Sequence, residues 1–368
     1  MTSQFYMPTR VVSGPGCVRE QGGLLRGLGG RALVVTGGRS ARLSGALDDV
    51  AAALEANGQP FEVFDGAVPN PTVDSVYAGA ERARRFGADF LVAIGGGSPM
   101  DTAKAIALVA RQDVPRQALF AGGLRDEALP LACVPTTAGT GSEVTQYSIL
   151  TNDEAGTKTS LALPCLFPRL ALLDGKYTLG LPRRVSVNTA IDALSHCVEG
   201  MLSNLAGEIS DALAREGCRR ICACLPGLER GELSPAERDS LLLASTLGGM
   251  VIAATGTTAV HAMGYSLTYY RGIEHGRANG LLLPAFLRFC ARGDRALAER
   301  VLDGCAMASA DELEAALGRL LGERERLTQE EIRQFAAKAI QTGNIAKCAV
   351  RPTQADLEAL YRESMGQG

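Results

Sequence analysis

Two hydrophobic patterns divide the chain. In the first half, short unbroken apolar runs alternate with stretches whose apolar positions recur every three or four residues. Ala32 to Thr36 (ALVVT) reads as a buried strand that closes on Gly37-Gly38. Leu47, Val50, Ala51 and Leu54 follow at helical spacing. Phe61 to Phe64 predicts a second strand, 73–86 a helix, and Asp89 to Ile94 (DFLVAI) a third strand. A further helix is predicted from Pro99, a first-turn position where the missing N–H costs nothing. Leu131 to Val134 gives one more strand. This rhythm predicts βαβ units and a mostly parallel sheet. After about Pro182 the pattern changes. From Ser186 onward apolar residues keep helical spacing and strands are scarce, so an α/β domain over 1–181 and an all-α domain over 182–368 are predicted.

Two polar loops follow predicted strands. Gly95-Gly96-Gly97-Ser98-Pro99-Met100-Asp101 joins a strand to a helix; glycines let a ligand approach the backbone, and the free N–H groups of a helix start favour anions. Alone, such a turn is as often merely tight. Asp101 reads as a carboxylate near that helix start, and Lys104 as its partner or as a solvated charge. The second loop, Pro135-Thr136-Thr137-Ala138-Gly139-Thr140-Gly141-Ser142-Glu143, offers small hydroxyl groups at a strand's carboxyl end, where open parallel sheets bind ligands. Together the loops favour a Rossmann-like dinucleotide site, with Gly96, Gly97, Ser98, Asp101, Thr136, Thr137, Thr140 and Ser142 as candidate contacts.

Composition narrows the partners. The chain has 368 residues, enough for two cores, with 46% hydrophobic and 21% charged residues, as in folded rather than disordered proteins. A formal charge of −3 gives no reason to expect nucleic acid or an anionic membrane. With no signal-like start or bilayer-length apolar run, a cytoplasmic protein is expected. Ten cysteines, mostly scattered singly among apolar neighbours, read as reduced core thiols. Cys218, Cys222 and Cys224 fall in a helix-like stretch without a second cysteine pair, which favours packing over a soft-metal site.

The chain has only three histidines, His196, His261 and His275, all in its helical half. Asp192 precedes His196 by four residues, on the same helical face. His261 lies in a Gly/Thr/Ala-rich helical stretch, and His275 precedes Gly276 at an apparent turn. One such histidine alone is more often a core residue; one carboxylate with three imidazoles suits Fe²⁺ or Zn²⁺. A divalent cation beside a dinucleotide points to hydride transfer with Lewis-acid assistance.

GGGSPMDTAK (Gly95 to Lys104), PTTAGTGSEVT (Pro135 to Thr145), DALSH (Asp192 to His196) and HGRANGLLLP (His275 to Pro284) stand in an order and separation that resembles the iron-containing (group III) alcohol dehydrogenase family, along nearly the whole chain. The resemblance implies an N-terminal α/β dinucleotide domain and a C-terminal helical domain. It implies Asp192, His196, His261 and His275 as metal ligands, Gly97, Ser98, Asp101, Thr136 and Thr140 as cofactor contacts, and Asn70 and Lys158 as further ones. The implied substrate is a short alcohol or aldehyde, and the implied assembly a homo-oligomer, a dimer. Arg271 and Arg277 would attract an anionic substrate group, unless they are surface charges. Two departures stand out. Many members carry a histidine four residues after the His261 position, often assigned to proton transfer; here it is Tyr265, so Tyr265, water or a cofactor hydroxyl would carry the proton. Many NAD-using members end the first strand with Thr-Asp. Here Thr36-Gly37-Gly38-Arg39-Ser40 lacks the carboxylate, Gly37 leaves room, and Arg39 and Ser40 offer donors to a 2′-phosphate, so NADP(H) is expected over NAD(H). The plainer reading is a tight turn with Arg39 in solvent. Competing activities are a zinc glycerol dehydrogenase, a dehydroquinate-synthase-like lyase and a non-catalytic nucleotide or metal sensor.

Overall fold

The apolar runs of the first half become strands of one parallel sheet in the computed structural model, which describes residues 4–152 and 156–367. The strands are β1 (Arg10–Ser13), β2 (Ala32–Thr36), β3 (Phe61–Phe64), β4 (Phe90–Gly95), β5 (Leu131–Pro135) and β8 (Leu170–Leu173), in the order β1-β8-β5-β4-β2-β3. A separate antiparallel hairpin pairs β6 (Tyr147–Asn152) with β7 (Thr157–Ala162). Helices α1 (Cys17–Glu20), α2 (Ser40–Leu43), α3 (Ala46–Asn57), α4 (Val73–Phe86) and α5 (Gly97–Arg111) complete this α/β unit, Met7–Leu181.

Helices cover both faces of the sheet, which is why β2, β4 and β5 are apolar throughout rather than alternating. Leu33, Val35, Leu91 and Ala93 pack with Val76 and Ala80 of α4 and Met100 and Ile106 of α5. Their neighbours Val34, Val92 and Ile94 pack on the opposite side with Leu47, Val50 and Leu54 of α3. The chain passes from β2 to β3 on one side and returns to β4 on the other, so the order reverses between β2 and β4. Ligands of open α/β sheets bind outside the carboxyl ends at such a switch point.

β1, β8 and the hairpin were not among the predicted elements. β1 and β8 have four residues each, too few to establish a period. α5 also starts earlier than predicted, at Gly97, with Pro99 inside its first turn.

The second unit, Pro182–Gly368 joined by Met1–Tyr6, carries α6 (Arg183–Met201), α7 (Glu208–Arg230), α8 (Pro235–Thr255), α9 (Ala259–Arg271), α10 (His275–Gly293), α11 (Arg295–Cys305), α12 (Ala310–Leu321), α13 (Gln329–Ala339) and α14 (Gln354–Ser364). α6 is buried from Ala190 through Met201 and packs against α7, α8 and α10. None of the ten cysteines forms a disulfide; eight are buried, with Cys165 and Cys222 partly exposed. Cys218 lies beside Cys197 and Cys305 within the helical packing. Among the described residues, no single helix is long and apolar enough to cross a membrane.

Candidate functional site

Asp192, His196 and Glu199 sit at successive turns along one face of α6, all buried. His261 lies in the first turn of α9 and His275 is the first residue of α10, so three helices contribute to one centre. His275 therefore opens a long helix rather than lying in a turn. Gly276 explains how it comes so close: a Cβ there would meet the Asn188 carbonyl oxygen at 1.8 Å, so only a glycine lets the start of α10 lie against α6.

The donor atoms converge. Asp192 Oδ1 lies 3.8 Å from His196 Nε2, 3.8 Å from His261 Nε2 and 3.7 Å from His275 Nε2. His196 Nε2 and His261 Nε2 are 3.1 Å apart. Donors that share a cation at about 2.0–2.2 Å must lie roughly 3–4 Å from one another, so these residues fit a divalent metal. The donor atoms of Asp192, His261 and His275 all fall within 4.8 Å of one another. Burial pushes the Asp192 carboxyl up, but His196, His275, His261 and the Asn279 amide outweigh it and hold the group below its ordinary range.

Two residues of this centre escaped the sequence reading. Asn279 is fully buried one turn beyond His275, and its Nδ2 donates to Asp192 Oδ1 (3.0 Å) while lying 3.2 Å from His261 Nε2 and 3.3 Å from His275 Nε2. Its Oδ1 has no hydrogen-bond partner among the described residues. Asn279 thus touches three of the four candidate ligand side chains, its NH₂ lying against lone pairs that a bound cation would take. Glu199 is the second, its carboxylate bonded to His261 Nδ1 and to Thr258. Its signal lay in DALSHCVE, seven residues after Asp192 and so on the same helical face.

The Tyr265 ring stacks on His275 at 6.0 Å between centroids and meets His261 edge-on at 6.4 Å. Its hydroxyl is engaged by Thr257 and Asn344, and burial and Glu199 push its pKa up to about 12. Arg271 pairs with Glu331 at 2.6 Å. Arg277 pairs with Glu325 at 3.1 Å and also donates to the Leu321 and Glu323 carbonyls. Both guanidiniums are thus engaged by protein acceptors, as the surface-charge reading expects.

In the α/β unit the two polar loops pack on each other. A Cβ on Gly96 would meet Thr137 Oγ1 at 2.9 Å, and one on Gly97 would meet Thr140 Cγ2 at 2.7 Å. These glycines therefore admit the second loop, whatever else they admit. Ser142 Oγ donates to Asp101 Oδ1 (2.6 Å) and accepts from Lys104 Nζ (2.7 Å), while Asp101 Oδ2 accepts from the Ile149 amide (3.1 Å). Lys104 is fully buried and also donates to Thr145 and the Tyr147 carbonyl, which corrects the solvated-charge reading. Burial pushes the Asp101 carboxyl up and the Lys104 amine down, each opposed by the other's charge. Thr136 lies buried at the end of β5, its amide bonded to the Gly95 carbonyl at 2.9 Å; Ser98 is half-buried in the first turn of α5. Asn70, with a left-handed φ of 57°, lies in a loop whose Pro71 carbonyl accepts from Thr151, and Thr151 pairs across the hairpin with Lys158. Thr151 thus links the Asn70 loop to the strand that carries Lys158.

Arg39 and Ser40 are exposed just beyond β2, at the switch point. Gly37, however, is not roomy: a Cβ there would meet the Ala67 carbonyl oxygen at 2.9 Å and Pro99 Cγ at 3.1 Å.

Comparison with known proteins gives one family over both units. The family described as Iron-containing alcohol dehydrogenase matches residues 8–175, and the one described as Fe-containing alcohol dehydrogenase family, C-terminal, matches 186–365. The chain is 33% identical to lactaldehyde reductase of Escherichia coli K12 over 264 residues, 71% of this chain and 68% of that protein. An iron-containing alcohol dehydrogenase structure from Thermotoga maritima superposes with a TM-score of 0.91 at 38% identity, covering 99% of this chain and 100% of the other. Sulfoacetaldehyde reductase from Bifidobacterium kashiwanohense, solved in complex with NAD⁺, gives 0.89 at 28% identity, covering 100% and 99%.

Proposed function

Because the chain belongs to the iron-containing alcohol dehydrogenase family and is an alcohol/aldehyde oxidoreductase, we propose that it exchanges hydride between NADP(H) and a short-chain alcohol or aldehyde, with Asp192, His196, His261 and His275 holding Fe²⁺. The observation that carries this reading is the convergence of one carboxylate and three imidazoles from α6, α9 and α10 on a common point. A metal bound there supplies Lewis acidity toward a substrate oxygen, with Zn²⁺ as the alternative ion. The protein's own part is to turn the Nε2 atoms of His261 and His275 toward Asp192 and to hold the Asp192 carboxyl below its ordinary range, through the three histidines and then Asn279.

On the cofactor side, Gly96, Gly97, Ser98, Thr136, Thr137 and Thr140 are assigned to the coenzyme, with Asn70 and Lys158 on the hairpin side of the same unit. Asp101 and Ser142 shape the loops through Lys104 as well as serving the coenzyme. Arg39 and Ser40, exposed just past Gly37, the position where many NAD-using relatives carry an aspartate, receive the 2′-phosphate. With Arg271 and Arg277 engaged by carboxylates, the substrate is an uncharged short-chain compound. A homodimer belongs to the same reading.

The test is a panel of short aldehydes and alcohols assayed with both coenzymes, on the unaltered enzyme and on Arg39→Ala. Reduction of uncharged aldehydes with a higher kcat/KM for NADPH is expected. Arg39→Ala should lower the NADPH value about 10-fold, as loss of one charge-assisted hydrogen bond would, and spare NADH. A substitution at Gly37 would be a poor test, since any side chain there presses on Ala67 whichever coenzyme binds. A preference of the unaltered enzyme for NADH contradicts the Arg39 assignment.

A further inference from the structure

Glu199 is buried and touches no solvent, yet it carries a full carboxylate into the helical unit. Both oxygens are used. Oε1 accepts from the Thr258 amide (2.8 Å), the Thr258 hydroxyl (2.8 Å) and the His261 amide (3.3 Å). Oε2 is hydrogen-bonded to His261 Nδ1. Thr258 is the residue before α9, and its side chain makes no cap bond to its own helix. The first amides of a helix have no intrahelical partner, and here a carboxylate from a different helix supplies one.

We propose that Glu199 is a positioning residue for the metal centre, which fixes the start of α9 and the ring of His261 with one side chain. An imidazole can present a bare nitrogen on only one side. A carboxylate on Nδ1 keeps the proton there, so Nε2 is left to face His196, Asp192 and His275. The cap bonds set the height of α9 along α6, and the Nδ1 bond sets the ring's rotation; neither alone would aim Nε2. The inference rests on the reading of His261 as a metal ligand.

Glu199→Gln separates the two roles. A glutamine has one acceptor oxygen, and three donors of the α9 start compete for it. With that oxygen on the cap, the amide NH₂ faces Nδ1 and drives the proton to Nε2, the tautomer that cannot ligate. Chelator-treated protein would be titrated anaerobically with Fe²⁺ by calorimetry. Glu199→Gln is expected to bind about 10- to 100-fold more weakly, the usual cost of losing a partner behind a ligand. Its melting temperature and NADPH binding should be little changed in the metal-free protein. Glu199→Asp, which retains the charge, should recover part of the affinity. Fe²⁺ affinity within about twofold of the unaltered protein in Glu199→Gln, with His261→Ala losing the metal, overturns the positioning role alone. Unchanged affinity in His261→Ala overturns the ligand reading itself. Should Glu199→Gln not fold, the unaltered protein decides. Long-range ¹H–¹⁵N spectra of its Zn²⁺-loaded form contain only three histidine rings, with His261 assigned by sequential connectivity to its own backbone. A slowly exchanging Nδ1–H with metal-bound Nε2 is expected for His261, and the reverse arrangement contradicts the proposal.

Discussion

Asn279, Glu199 and Tyr265 touch the histidines rather than replace them, and each acts through a different atom. Asn279 holds Asp192, Glu199 holds the far side of His261, and Tyr265 lays its ring on His275. The proposed ligand positions were legible because the chain has only three histidines and Asp192 stands four residues before one of them. The supporting residues were not, because a glutamate or asparagine in a helix is ordinarily a solvated residue, and only tertiary packing shows that these two are buried. At Tyr265 residue type and surroundings point in different directions. A tyrosine in place of a relay histidine suggests proton transfer, yet Thr257 and Asn344 take its hydroxyl and its pKa rises to about 12. Tyr265→Phe keeps the ring on His275, so kcat is expected to fall by less than about 10-fold, below the usual contribution of a positioned acid or base. A larger loss together with a displaced pH–rate profile would return Tyr265 to the relay.

At the scale of elements, the centre depends on how closely α10 approaches α6. The contact is made through Gly276, where any Cβ would overlap the Asn188 carbonyl. Gly276→Ala must therefore move the start of α10 and His275 with it. Overpacking of this kind typically costs about 1–3 kcal/mol. The expected outcome is a lower melting temperature and a metal affinity reduced about 10-fold or more, as for a displaced ligand. Normal metal affinity in this variant would mean that His275 tolerates the shift. β2, β4, β5 and α4 lie within a residue or so of their expected bounds because the run or the helical period was long enough there, and β3, though four residues long, was marked by its aromatic and β-branched FEVF. β8 was missed although wholly buried, because Leu170 to Leu173 lies near Pro164 and Pro168 and is too short for its pattern to tell strand from loop. β1 joins the sheet edge only through pairing with β8, 160 residues away, which no local pattern encodes.

For the molecule as a whole, the chemistry divides between two units that each read differently in sequence. In the α/β unit, the proposed coenzyme contacts lie in loops at the carboxyl ends of strands, and glycine-rich turns are visible without a structure. In the helical unit, the proposed ligands are side chains spread over 84 positions, from Asp192 to His275, and only the rarity of histidine made them stand out. The substrate stayed outside both patterns, since neither the loops nor the candidate ligands distinguish one short alcohol or aldehyde from another. On the proposed function, the four side chains hold one metal on which turnover depends. Its most direct measurement is the iron content of anaerobically reconstituted enzyme alongside His261→Ala and His275→Ala, each checked for an unchanged circular dichroism spectrum. About one ion per chain is expected in the unaltered enzyme, removable by chelator together with aldehyde reduction, and little in either variant. Full iron occupancy and normal turnover in both histidine variants would contradict the account.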